Sequence, residues 1–583
     1  MCLEPYRATS SPASAEGRPY TIILNAGGIP AFAMNRFLAR SIGCKIRTTV
    51  AIVAATALPF SQAMAARHAL LAWRAPAKPA HAAVRPDVVK FRARAQAILG
   101  ASQAGRSFWG VLVADRDTGE TLYALNPDHF FTPASNAKLI TTALALAILG
   151  PDYRFRTALE SQSPLGADGR LAGDLILAGG GDPDLSNRVF PYAGKSEREG
   201  PPEKVLAELA DAAVARGLRE VDGAIVADDS LFPYDPYPAG WSVGDLFFDY
   251  GAPVSALDFN DNIVSVTIFP GARAGVAPNV ATKPTAAADG IAREIVTGPS
   301  GEAPDLAVVR QPGSNFLLLR GIVPAGHAPV KIDLAMIAPA RTAALALRQL
   351  LEARGVRVHG DIQVRHAPPP HTTASSEPVI AADLAPPAPD PVILAEHSSP
   401  PLLESVGLAN KISQNLHAEL FLRAVGRKKM GVGSSAAGLA LERQFMQSAG
   451  IADQDVALSD GSGLSRDDLV TPRAVVSLLL YAARQPWGRQ FRSTLPIAGV
   501  DGTLEDRLRH TPAAGRIEAK TGATDHVRAL SGYATTLRGE HLVFAMFRNN
   551  DALHGVEATA PLDALATAMI ETLGPAPKHG KNR

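Results

Sequence analysis

Apolar and polar positions divide the chain into stretches with different rhythms. In the first, Val88, Val89, Phe91, Ala95, Ile98 and Leu99 recur at helical spacing over Pro86–Gly100. Phe108–Ala114 is a β-rich run, Asp115–Glu120 a turn containing Gly119, and Thr121–Ala124 the returning strand. Ser135 opens a strongly apolar helical stretch to Leu149, ended by Gly150-Pro151. From near residue 156, short apolar runs alternate with Gly, Pro, Asp and Asn: Asp174–Ala178, Gly223–Ala227, Asn262–Phe269 and Asn315–Leu319. A helix is predicted over Pro202–Ala215, another over Pro339–Ala353, and a strand over Val356–Val364. Beyond the Pro-rich segment 366–391, helices are predicted at Leu402–Ile412, Asn415–Ala424, Ala436–Ala449 and Thr471–Ala483. Three β-type runs follow, Arg516–Thr521, Val527–Thr535 and His541–Phe547, then a last helix, Ala560–Leu573.

The order of these elements predicts a multi-domain α/β fold. Two strands and a helix stand at the start, and helices, three strands and a helix at the end. A core built from both chain ends pairs the early strands with the late ones, with the β-rich segment inserted between them. Segment 366–391 holds eight prolines, which excludes a helix interior or a central strand and predicts an exposed, semi-rigid loop. Residues 66–86 are Ala/Pro-rich and read as a linker.

At 583 residues and 46% hydrophobic, the chain is too apolar for intrinsic disorder and long enough for two or three domains. Its formal net charge is +1. The first 65 residues hold six Lys/Arg and two Asp/Glu, so the rest carries 51 basic against 54 acidic side chains. A near-neutral body argues against nucleic acid as the partner. Both cysteines, Cys2 and Cys44, lie in that first segment, so disulfides and thiolate chemistry are denied to the remainder. From Met34 the chain carries Arg36, Arg40, Lys45 and Arg47, an apolar run from Val50 to Phe60, and Ala63-Met64-Ala65. This is the pattern of a secretory signal over 34–65, too short for a spanning helix, with Met34 as the expected start. The expectation is a protein secreted across the cytoplasmic membrane into the periplasm, without a transmembrane anchor in its mature form.

Three short strings carry chemistry: Ser135-Asn136-Ala137-Lys138, Ser413-Gln414-Asn415 and Lys520-Thr521-Gly522. A serine hydroxyl is a weak nucleophile and needs an adjacent base. Serine and lysine three apart on a helix share a face. Lys138, buried among Ala137, Leu139 and Ile140, loses solvation, which favours the neutral amine that accepts a proton. Ser413 offers a hydroxyl for proton transfer to a leaving amine, and Asn415 an amide for a substrate carbonyl or the lysine. Lys520 and Thr521, in a β-type run, suit a terminal carboxylate, and Gly522 lets an extended substrate come close. No H-E-x-x-H helix, G-x-S-x-G elbow or Walker A loop occurs, and no metal or organic cofactor is indicated.

Together these strings resemble the signature of the β-lactamase and penicillin-binding-protein group. Further strings, GGGDPDL (179–185), YGAPVSAL (250–257), DGSGLSR (460–466) and AGVDGTL (498–504), narrow the likeness. The sequence is similar to the D-alanyl-D-alanine carboxypeptidase/endopeptidase family, the low-molecular-mass class C penicillin-binding proteins. That resemblance implies a transpeptidase-like domain, a five-stranded antiparallel sheet flanked by helices, over 87–155 and 392–576. It further implies an inserted β-rich domain over 156–181 and 256–365, with a third domain, 182–255, nested in it. By position it implies Ser135 as acylated nucleophile, Lys138 as its base, and Ser413 and Asn415 as proton-relay and substrate-amide residues. Lys520, Thr521 and Gly522 correspond to the carboxylate-binding strand, and the backbone N–H groups of Ser135 and Ala523 to an oxyanion hole. Ser462, Leu464 and Arg466 correspond to residues lining the donor side-chain pocket. The implied function is penicillin-sensitive hydrolysis of peptidoglycan stem peptides, with β-lactams as inhibitors. A β-lactamase or D-amino-acid esterase on the same core, and a non-catalytic peptidoglycan-binding protein, are the alternatives.

Overall fold

A computed structural model describes residues 85–101, 104–196, 198–310, 316–369 and 390–574. The expected signal, nearly all of the linker and most of the Pro-rich loop lie outside the described residues.

The chain ends build one sheet. Its five strands run in the order Ile517–Thr524, Val527–Thr535, His541–Asn549, Phe108–Asp115, Thr121–Leu125, each antiparallel to its neighbours. The early hairpin joins the late meander by pairing Val111 with Met546 and Val113 with Phe544. Side chains alternate across this sheet into two cores. Leu542, Phe544 and Met546 face Val111, Val113 and the helices Pro86–Leu99 and Gly555–Thr572. Val543, Ala545 and Phe547 face Leu112, Phe131 and the helices Lys138–Ile148, Leu402–Lys411, Asn415–Met430 and Pro472–Ala483. The result is a helix–sheet–helix sandwich whose central strands are apolar on both faces. Lys138–Leu146 is buried all round; its Leu, Ile and Ala residues are packed in the core, and its polar residues Lys138, Thr141 and Thr142 are hydrogen-bonded.

The last helix starts at Gly555 rather than Ala560 and carries Pro561 within it. The predicted strand over Val356–Val364 is two: Arg357–Val358 and Ile362–Ala367. Between them Gly360 lies so close to Gly223 that a Cβ would sit 2.3 Å from the Gly223 carbonyl oxygen.

The inserted region departs from the expected nesting. Residues 182–255 form no sheet of their own. Strand Ile225–Pro233 pairs in parallel with both Leu175–Ala178 and Ile362–Ala367 in a five-stranded sheet. Parallel neighbours need a crossover, and the helices Lys204–Ala215 and Pro339–Ala353 occupy those connections, which draws the segment into the sheet. Val392–Ser398, expected with the catalytic segment, pairs with Arg156–Ser161 in this same sheet. The segments with sheets of their own lie within 263–335, as two three-stranded sheets.

Buried charges fasten the inserted region to the helix that follows Ser413. Asp261, fully buried, is clamped by Arg188 and Arg198 and lies 3.4 Å from His417 Nε2, two residues beyond Asn415. The two guanidiniums hold the Asp261 carboxyl well below the usual range despite its burial.

Phe544 is fully buried at the centre of one core. Phe544→Ala is expected to lower the free energy of unfolding by about 3–5 kcal/mol, measured by urea titration monitored by circular dichroism.

Candidate active site

Ser135 sits on a one-turn 3-10 helix, Ala134–Ala137, and the α-helix proper begins at Lys138. The turn is tight because Ala134 adopts a left-handed backbone, φ 47°. Gly463, itself at φ 80°, packs against this turn so closely that a Cβ would lie 1.9 Å from the Ala134 carbonyl oxygen. Serine and lysine still project together: Lys138 Nζ is 2.9 Å from Ser135 Oγ.

Two further acceptors hold the amine, Asn415 Oδ1 at 2.6 Å and the Ser462 carbonyl at 2.7 Å. Neither has a proton to give at that oxygen. The Asn415 amide is fixed in this sense because its Nδ2 donates to the Tyr250 carbonyl at 2.8 Å. A neutral lysine has two N–H bonds and one lone pair. With both bonds committed to proton-less acceptors, the lone pair is left for Ser135 Oγ–H. Burial brings Lys138 down to about 7, against the opposing pull of Asp460, Glu419 and Asp468.

The other two strings arrive at the same place. Ser413 occupies the break between the helices Leu402–Lys411 and Asn415–Met430 in a left-handed backbone, φ 65°. That conformation is costly for a residue with a Cβ. The helix cap is Gln414, whose side chain accepts from the Leu416 amide, so the Ser413 hydroxyl is free for other use. Lys520 Nζ donates to Ser413 Oγ and to the Thr521 carbonyl, each at 2.9 Å. Burial holds Lys520 well below the usual lysine range, and Lys138 adds to the effect.

Lys520, Thr521 and Gly522 lie on the edge strand of the catalytic sheet, as an extended substrate requires. Residues 496–498 cover the lower part of that edge through Ala519. Gly522 backs onto the Ser135 turn, where a Cβ would stand 2.7 Å from the Pro133 carbonyl. Asn136 Nδ2 bridges to the Lys520 carbonyl at 3.3 Å across 384 residues of chain. Thr521 Oγ1 is 2.7 Å from Thr503 Oγ1, and Ala523 is exposed beyond it.

The expected donor-pocket residues divide. Arg466 is a third exposed and lies between Asp245 at 3.7 Å and Asp525 at 3.6 Å. Leu464 is buried. Ser462 is fully buried with its hydroxyl turned to Asp460 at 2.9 Å, so it meets Lys138 through its carbonyl and presents no side chain to a ligand.

Asp460 is the residue that motif reading passed over. Its carboxylate accepts from the amides of Ser462, Gly463 and Ser465 at 3.1, 2.6 and 2.9 Å, and from Trp241 Nε1 at 2.7 Å. It therefore shapes the loop whose carbonyl holds Lys138 and ties that loop to the inserted segment. The DGSGLSR string was the signal, with its acidic residue read as mere context.

Among the described residues, one trio, Glu220, Asp222 and His359, brings ligand atoms within 4.8 Å of one another. Its carboxylates are already engaged by Arg357 and Arg170, so the trio reads as an ion-pair cluster.

Residues 92–569 match the D-Ala-D-Ala carboxypeptidase 3 (S13) family. The chain belongs to that family. It is 35% identical over 479 residues to a D-alanyl-D-alanine carboxypeptidase of Actinomadura sp. (strain R39), covering 80% of this chain and 81% of that one. It is 27% identical over 454 residues to the D-alanyl-D-alanine carboxypeptidase DacB of Haemophilus influenzae, covering 77% and 87%. The crystal structure of penicillin binding protein 4 from H. influenzae superposes with a TM-score of 0.69 at 26% identity, covering 82% of this chain and 98% of that one. A second structure of the H. influenzae protein, complexed with a β-lactam, superposes with a TM-score of 0.64 at 25% identity, over 82% and 98%. The three strings and the family match agree. No helix among the described residues is long and apolar enough to cross a membrane.

Two predictions follow from this S13 site. Lys138 is lowered to about 7, so the amine is neutral above that pH and charged below it. Acylation by benzylpenicillin is expected to level off above about pH 7 and to fall about tenfold per unit below it, in stopped-flow quenching of protein fluorescence. Asp460→Asn removes a negative charge that favours the ammonium form and loosens the Ser462 loop. It should move the acylation profile to lower pH and reduce the plateau about tenfold, the equivalent of ~1.4 kcal/mol.

Proposed function

We propose that Ser135 is the nucleophile with which this S13 protein works as a penicillin-sensitive D-alanyl-D-alanine carboxypeptidase. Lys138, neutral and aimed at Ser135 Oγ, takes its proton as the oxygen attacks the carbonyl between two D-alanines. The amide N–H groups of Ser135 and Ala523 hold the developing oxyanion. Collapse breaks the C–N bond, and the proton returns to the leaving amine by way of Ser413, so D-alanine departs and the peptide stays esterified to Ser135. Water then cleaves that ester with Lys138 again as base.

Lys520 and Thr521 receive the terminal carboxylate, and Asn415 pairs with the peptide backbone. Arg466 and Leu464 border the donor side chain. An endopeptidase cut at a D-alanyl cross-link uses the same steps with a different leaving amine. The substrate is the stem peptide of peptidoglycan, and the place of action is the periplasm, reached by the signal at 34–65. β-Lactams acylate the same serine; the complex of the H. influenzae protein with a β-lactam supports this.

One observation carries the reading: three distant strings converge, Ser135, Lys138 and Asn415 in one hydrogen-bonded group and Ser413 with Lys520 in another, the two lysines near enough for Lys138 to oppose the charging of Lys520. A fluorescent penicillin is expected to label the protein covalently and to leave Ser135→Ala unlabelled. The same substitution should reduce D-alanine release from a model pentapeptide by at least ~10³-fold, since nucleophile and base act as a unit. Labelling that survives the substitution would refute the assignment.

A further inference from the structure

Away from Ser135 the inserted region encloses a cavity of about 480 Å³, within the usual range for a small-molecule site, about 300–1,000 Å³. It shares no residue with the catalytic constellation. Its floor is apolar, from Val264, Ala335, Met336 and Leu345, and its polar groups converge from four elements. Asp229, on strand Ile225–Pro233, is buried and accepts from His366 at 2.7 Å and from Ser255 Oγ at 2.9 Å. The bond to Nδ1 of His366 leaves Nε2 of that ring for another partner. Tyr234 lies over the same imidazole, ring centroids 4.1 Å apart, with nearly half its surface exposed. Tyr237 closes the aromatic side, its hydroxyl 3.3 Å from Arg310 Nη1. Arg341, in the first turn of helix Pro339–Ala353, and Asp289 opposite in sign also line the cavity. Among the described residues, neither of those two side chains has a hydrogen bond or ion pair.

A buried carboxylate locked to an imidazole is expensive in an apolar wall. The combination suits one kind of ligand. An exposed aromatic face stacks on the C–H face of a sugar, and the Asp229–His366 pair together with Asp289 offers acceptors and a donor to hydroxyls and amides. The unpaired guanidinium of Arg341 suits a carboxylate. We infer that this cavity is a non-catalytic site for a sugar–peptide fragment, its sugar on Tyr234 and its peptide carboxylate at Arg341. The inference rests on the proposed function in taking peptidoglycan as the source of that ligand. Such a site holds the glycan side of the polymer while the stem peptide is worked on elsewhere.

The test uses the full chain treated with benzylpenicillin, so that intact mass reports the adduct on Ser135. A soluble disaccharide-pentapeptide, the disaccharide alone and the pentapeptide alone are then titrated by isothermal calorimetry. The disaccharide-pentapeptide is expected to bind the acylated protein, with at least tenfold loss in Tyr234→Ala and in Arg341→Ala. The disaccharide alone should respond to Tyr234→Ala and not to Arg341→Ala. Both positions are exposed, and unchanged thermal melting checks that the variants fold. An adduct without fragment binding, or binding that ignores both substitutions, overturns the cavity and leaves the acyl-enzyme standing. Binding that depends on Tyr234 and Arg341 in a protein that takes no penicillin upholds the cavity and sinks the acyl-enzyme. Equal binding of the sugar-free pentapeptide overturns the role given to the sugar.

Discussion

The site depends on one dehydrated amine. Lys138 is removed from water and held by two oxygens that only accept, so its remaining valence has a single useful direction, toward Ser135. Direction comes from the acceptors and the uncharged state from burial, and the two are set by different parts of the chain. The Asn415 amide is anchored by the Tyr250 carbonyl of the inserted region, and the Ser462 carbonyl by the Asp460 loop. A shift in either anchor would free an N–H and spoil the alignment before it altered the proton affinity. The left-handed turns at Ala134 and Ser413 belong to the same economy of position, since each aims a hydroxyl that an ordinary helix would send elsewhere.

A second buried amine shares the pocket. Lys520 and Lys138 are both buried, and Lys138 opposes the charging of Lys520. Any anion that binds beside Lys520 would therefore favour its charged form.

The architecture of the two chain ends was legible from hydrophobic rhythm, because strands such as His541–Asn549 are apolar on both faces and helices such as Lys138–Ile148 are dominated by Leu, Ile and Ala. The three strings were legible because each carries its functional groups at the spacing of a known signature. The nesting of the inserted region was not legible. Parallel pairing of Ile225–Pro233 with Leu175–Ala178 leaves no local mark, since partners are chosen through a helical crossover rather than a turn. Asp460 was missed for a related reason: a buried carboxylate bonded to backbone amides looks, in sequence, like any turn aspartate. Ser462 was named for its side chain and serves through its carbonyl, a group that every residue carries.

The interleaving of the sheet has a bearing on the timing of folding. The Phe108–Leu125 hairpin is the first sheet element made, and its neighbour His541–Asn549 is among the last. Loop closure over such a span is slow and is offset only by contacts that form at the end. A chain emerging from its amino terminus can settle the mixed sheet of the inserted region first, while the early hairpin waits with an unpaired edge. Hydrolytic power is thus withheld from every incomplete chain, and a cell making a wall-cutting enzyme gains a delay that no separate inhibitor has to supply.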